Sequence, residues 1–187
     1  MKALLILCVT LLSFAAHATT PWQKSPALTQ LLDELQTYYQ SDDISEFRRD
    51  FMKRVDNLSY FVRYIDKPGT PEYAKLEGYL TGLQMAYGDS VYQQIKTNAT
   101  PWFCPKQNDA LRVRFNDDKP ALTLENLVYE VLEKELKRYP NAFRHDSGHG
   151  NPFTQLSSII MFGLQTQYPC YDPIPERHRF NGWKDSY

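Results

Sequence analysis

The sequence predicts an all-α protein, a small helical domain of about five main helices held by one intramolecular disulfide. Three observations predict it. Apolar residues recur at three and four along most of the chain, the period that gathers them on one helix face. Capping residues and prolines open these runs, and proline or glycine closes them. Once an N-terminal leader is set aside, only two cysteines remain, enough for one bridge.

Residues 1–18 read as a cleaved secretory signal. Lys2 supplies a positive start, "ALLILCVTLLSFAA" an apolar core, and Ala16–Ala18 a small-x-small cleavage site. The core is too short to span a bilayer, and Thr19, Thr20 and Pro21 follow it at once. Cys8 lies inside that core behind the bulky Leu7, so it is not a lipoprotein cysteine. The expected mature chain starts at Thr19, is exported to the periplasm, and forms a single domain over residues 19–187.

The first helix is "PALTQLLDELQTYYQ". Ser25 caps it, Pro26 suits its first position, and Leu28, Leu31, Leu32, Leu35 and Tyr39 form one face. A second pattern runs through Ile44, Phe47, Phe51, Val55, Leu58, Phe61, Val62 and Ile65, and Pro68-Gly69 stops it. Thr70-Pro71 opens the third helix, "PEYAKLEGYLTGLQMAYGDSVYQQI". In it Gly78, Gly82 and Ala86 lie four apart. Glycine inside a helix costs about 1 kcal/mol relative to alanine, so this stripe predicts close packing against another helix, within the chain in preference to across a dimer.

Residues 97–122 form a long connection. Its alternation of Leu111, Val113 and Phe115 suggests a short strand or hairpin. Thr123 caps the fourth helix, with Leu124, Leu127, Val128, Val131, Leu132 and Leu136 as its buried face and Pro140 as its stop. Asn151 and Pro152 open the fifth, "PFTQLSSIIMFGLQTQY", which ends at Pro169 and Cys170. The tail, residues 171–187, has no helical period.

Composition narrows the function. Lysine and arginine total 21 against 22 acidic residues. Without a basic excess, nucleic acid is not an expected partner. No later segment is long and apolar enough to span a membrane. Cys104 and Cys170 are the only cysteines after the leader. In an oxidising compartment they pair, which also argues against Cys104 as a nucleophile. Closing that loop stabilises the fold by about 4 kcal/mol on the chain-entropy model.

Four segments read in order resemble a known family. "EGYLTGLQMAYG", then "FCP", then "LTLENLVYEVLEKELKRYP", then "TQLSSIIMFGLQTQYPC" are similar to the Rap/Tai family of type VI secretion amidase immunity proteins. Gly78, Tyr79 and Gly82 match that family's Gly-Tyr-x-x-Gly helix, and Cys104 and Pro105 its cysteine near a proline. Thr123 and Leu124 match its Thr-Leu helix start, and Cys170 its closing cysteine. The resemblance covers residues 72–170. The two N-terminal segments, the long connection, the histidine loop and the tail are additions to the pattern. The resemblance implies an exported helical protein, a homodimer, and a partner that is a secreted peptidoglycan amidase whose active site it covers.

"RHDSGHGNP", residues 144–152, invites an enzymatic reading. His145 and His149 are four apart with Asp146 beside the first, the spacing of a zinc-protease helix. That site needs both histidines on one face of a regular helix and a third ligand. Gly148, Gly150 and Pro152 break such a helix, and His178 is the only other histidine of the mature chain. The segment reads instead as a connecting loop, with Arg144, His145, Asp146 and His149 as candidate partner contacts. No phosphate loop, nucleophile elbow or cofactor motif appears, so no catalytic residue, metal or cofactor is expected. The leading expectation is an immunity protein that occludes an amidase. A periplasmic chaperone or assembly factor is the alternative, and a metal-dependent hydrolase the third.

Overall fold

A computed structural model describes residues 23–42, 44–104, 123–138, 140, 143 and 155–170. The described chain is helical and holds no strand. Its elements in order are α1 (Pro26–Tyr39), α2 (Glu46–Met52), α3 (Leu58–Tyr64), α4 (Pro71–Lys96), α5 (Leu124–Arg138) and α6 (Leu156–Gln167). None is long and apolar enough to cross a membrane. The expected signal segment, the alternation at residues 111–115 and the tail lie outside the described residues.

α1 forms as its sequence directs. The Ser25 hydroxyl accepts a hydrogen bond from the Leu28 amide, and Pro26 occupies the first turn. Leu28, Leu31, Leu35 and Tyr39 are buried. The Tyr39 hydroxyl is pushed well up from its ordinary value, chiefly by burial and then by Tyr38.

The second apolar pattern is divided in the structure. It is two short helices, α2 and α3, broken over residues 53–57. The periodicity there is unbroken, but the backbone is used elsewhere. Asp56 accepts a hydrogen bond from the Leu156 amide at 2.6 Å, and Asn57 bridges to Gln155. Buried Asn57 also donates from its side chain to the Phe51 carbonyl at 2.6 Å, closing the end of α2. These bonds replace the helical ladder. The break leaves Phe47, expected on the buried face, 72% exposed. α6 starts at Leu156 with Gln155 as its cap; the helix start expected at Asn151 and Pro152 lies outside the described residues.

Gly69 turns the chain between α3 and α4 with φ of 88°, a left-handed conformation that suits glycine. Thr70 caps α4 by accepting from the Tyr73 amide. At the far end Asn98 takes φ of 55° just past the cap. Its amide donates to the Ile95 carbonyl, and the Ala99 amide to that of Gln94. That pair of bonds is a Schellman ending, with asparagine in the place glycine usually holds.

The centre of the fold is the α5–α6 pair, with α1 packed against α5 and against α3. Leu124, Leu127, Val128, Val131 and Leu132 of α5 are fully buried, as are Leu156, Ile159, Ile160 and Leu164 of α6. At Gly163 the two helices pack closely. A Cβ built there would lie 2.7 Å from Leu127 Cγ and 2.9 Å from Val131 Cγ2. Phe61 of α3 meets Tyr129 of α5 edge-on, at 5.4 Å between ring centres.

Candidate functional site

The described chain offers two features with functional bearing, a cross-linked junction and an uncovered helix face. The junction joins the end of α4 to the end of α6. Cys104 and Cys170 form a disulfide with Cα atoms 5.0 Å apart. The Cys104 amide donates to the Tyr168 carbonyl at 2.7 Å, so backbone and sulfur hold the same crossing. Phe103 is fully buried beside it. Trp102 meets Phe103 edge-on at 4.4 Å and Tyr87 at 5.3 Å. The Tyr87 hydroxyl donates to the Ser157 carbonyl at 3.0 Å, tying the middle of α4 to the start of α6. Burial raises the Tyr87 hydroxyl, with Tyr79 adding to it. Burial also raises Tyr79, against which a hydrogen bond with Ser157 acts in part. Neither phenol ionises near neutral pH, so both remain hydrogen-bond donors.

The uncovered face lies on the other side of α4. Tyr73, Leu76, Leu80 and Val91 point to the core. Turned away from them, Gly78, Thr81, Gly82, Ala86 and Gly88 are exposed. Met85 is 65% exposed, Tyr92 52% and Ile95 59%. Three large apolar side chains on one outward face are unusual for a surface helix, which ordinarily turns polar residues outward. The close intrachain packing expected of Gly78, Gly82 and Ala86 is therefore corrected. A Cβ at Gly78 or Gly82 meets nothing within 4 Å among the described residues. The glycine that another helix does approach is Gly163.

Of the other residues singled out from sequence, Cys104 and Cys170 come together as expected. Arg144, His145, Asp146 and His149 lie outside the described residues, as does most of the long connection. Among the described residues no group of three or more His, Cys, Asp or Glu side chains could hold a metal.

Sequence reasoning missed three features. The exposed trio Met85, Tyr92 and Ile95 was legible in principle, because seven-residue spacing puts 85 and 92 on one face and 95 beside them. Close packing at Gly163 left no distinguishing local signal. Glu135 is the third. It is only 3% exposed, its Oε2 has no hydrogen-bond partner among the described residues, and burial raises its carboxyl above the ordinary range despite Arg138 and Lys134. Comparison with family models, curated proteins and solved structures found no match to this chain.

Proposed function

We propose that the protein is a periplasmic immunity protein that binds and occludes a type VI secreted peptidoglycan amidase. The observation that carries this reading is the convergence of the segments on which the resemblance rests. The helix with Gly78, Tyr79 and Gly82, the cysteine after it, the helix opening at Thr123 and the helix ending at Cys170 lie along 99 residues of sequence. In the fold they form one connected unit, tied by the Cys104–Cys170 bridge and the Tyr87–Ser157 hydrogen bond.

Such a unit suits an inhibitor that acts by steric cover. A cross-linked frame lets the contact residues bind with little ordering cost. No step of chemistry is asked of it, since occlusion needs only a surface that fits over the enzyme's groove. On this reading the loop at residues 144–149 is the candidate to enter that groove.

The test is direct. The purified exported protein is mixed with peptidoglycan amidases of type VI secretion loci, and sacculus hydrolysis is followed at increasing ratios. Stoichiometric loss of hydrolysis, with a 1:1 or 2:2 complex on sedimentation, supports the reading. Unchanged hydrolysis by the amidase encoded beside this gene, or indiscriminate binding of unfolded polypeptides, sinks it.

A further inference from the structure

We propose that the corner between α3 and α4 is a docking site for an acidic polypeptide segment, whose carboxylates meet Arg63, Lys67 and Lys75 on a platform of two tyrosine rings. The inference rests on that corner alone and stands whether or not the amidase reading holds. Tyr60 and Tyr64 lie one helical turn apart on α3, and their rings touch at 4.6 Å between centres. The Arg63 guanidinium sits 5.0 Å from the centre of the Tyr64 ring, and the Lys67 ammonium 5.5 Å from it. The Lys75 ammonium, from α4, sits 5.6 Å from the centre of the Tyr60 ring. Each lies within cation–π range of its ring. Two contacting rings therefore gather three cations, from α3, the turn after it and α4.

These charges are not neutralised by ion pairs at the corner. Among the described residues, ion pairs hold Lys24 to Asp66, Lys53 to Asp50 and Arg54 to Asp56, and none holds Arg63, Lys67 or Lys75. Arg63 is half-buried, and Lys67 and Lys75 are exposed, so each can reach an acceptor arriving from solvent. Half-buried Glu72 is the one further acid between residues 60 and 75. With Lys24 included, the corner carries four cations against two acids, in a chain whose formal net charge is −1. The frame beneath them is fixed. The Tyr60 hydroxyl donates to the Glu72 carbonyl at 3.2 Å, and the Lys67 carbonyl accepts from the Thr70 hydroxyl at 2.9 Å. Cations held in place bind with less ordering cost than free side chains.

The chemistry selects among anionic partners. A sugar or a base needs a bare ring face to stack on, but Tyr60 is buried and Tyr64 carries two cations. A bilayer surface takes in an apolar side chain beside the cations. The exposed large apolar residues are Phe47, Met85, Tyr92 and Ile95, and none lies between residues 60 and 75. A single small anion needs donors that converge on one point, whereas these three are spread over two rings. An acidic segment meets all three conditions. Its successive carboxylates pair with successive cations, and tyrosine with arginine is the combination that anchors protein interfaces.

The full chain, disulfide intact, is titrated with fluorescein-labelled octaglutamate, with octalysine as the control of opposite charge. The expected result is saturable one-to-one binding of octaglutamate alone, weakening as salt rises from about 20 mM to about 300 mM. Arg63→Gln, Lys67→Gln and Lys75→Gln combined lower the affinity at least tenfold. The three single variants each lower it about twofold to threefold, and they carry the comparison if the triple variant melts early. Lys53→Gln with Arg54→Gln removes two cations already paired to aspartates and leaves binding unchanged. Tyr64→Leu keeps every charge yet weakens binding, while Tyr64→Phe binds as the parent does, because the ring holds the cations. Four results would each overturn the proposal: no saturable binding of octaglutamate, an equal loss in the Lys53 and Arg54 variant, parental binding by Tyr64→Leu, or tighter binding to phosphatidylglycerol vesicles than to octaglutamate, which would assign the corner to a lipid surface.

Discussion

Two glycine-to-alanine changes in helices of one chain should move stability in opposite directions. At Gly163 the new Cβ would lie 2.7 Å from Leu127 Cγ and 2.9 Å from Val131 Cγ2. Non-bonded carbons settle at about 3.5–4.0 Å, so the overlap is close to 1 Å. Leu127 and Val131 are both fully buried and have no open space to swing into. Either α5 and α6 move apart or Leu127 leaves its rotamer. Overpacking of this kind costs about 1–3 kcal/mol. The better helix propensity of alanine returns about 1 kcal/mol, leaving Gly163→Ala destabilised by up to about 2 kcal/mol. At Gly82 the same Cβ meets nothing within 4 Å among the described residues, so only the propensity gain remains. Gly82→Ala should be about 1 kcal/mol more stable than the parent. The two variants then differ by about 1–3 kcal/mol, or about 2–12 °C in melting temperature for a chain of this size. Urea melts of the oxidised protein at micromolar concentration, with equal m-values, give the comparison. If Gly163→Ala is as stable as Gly82→Ala, then α5 and α6 do not pack closely at Gly163.

Glu135→Gln should flatten the pH dependence of stability. Burial lifts the Glu135 carboxyl above its ordinary value of 4.5 in the folded state. Its stabilising share is therefore complete below that value and is lost as pH rises through the raised one. Melts from pH 4 to pH 8 should show the parent falling where the variant stays level, and parallel curves would assign the slope to another group. Reducing the Cys104–Cys170 bridge, which spans 66 residues, should cost about 4 kcal/mol. Mass spectrometry without reductant should find neither Cys104 nor Cys170 alkylatable in the purified protein, and free thiols at both would refute the bridge. Asn57→Ala removes the buried bond to the Phe51 carbonyl and should cost about 1–3 kcal/mol in a denaturant melt. Wild-type stability would show that bond to be dispensable to the α2–α3 corner. On the proposed immunity reading, His145→Ala with His149→Ala should leave folding and metal content unchanged and weaken binding to the proposed amidase partner. One tightly held zinc per parent chain, lost in that variant, would restore the hydrolase reading.

Local sequence alone determined the helical class, most helix starts and the buried stripes of α1 and α5. Capping and periodicity are properties of neighbouring residues, and Ser25, Thr70 and the leucine faces act through bonds and contacts a few positions away. The disulfide was equally legible, because setting aside the expected leader leaves Cys104 and Cys170 with one pairing. What the chain meets at long range decided the rest. The periodicity from Ile44 to Ile65 reads as one helix, yet Asp56 and Asn57 give their backbone groups to residues 155 and 156, about a hundred positions on. Gly78, Gly82 and Gly163 look alike as glycines in helices. Only the packing of α5 on α6 singles out Gly163 as closely approached, while the other two face outward, because a glycine signals permission for contact and its neighbours in space decide whether contact occurs.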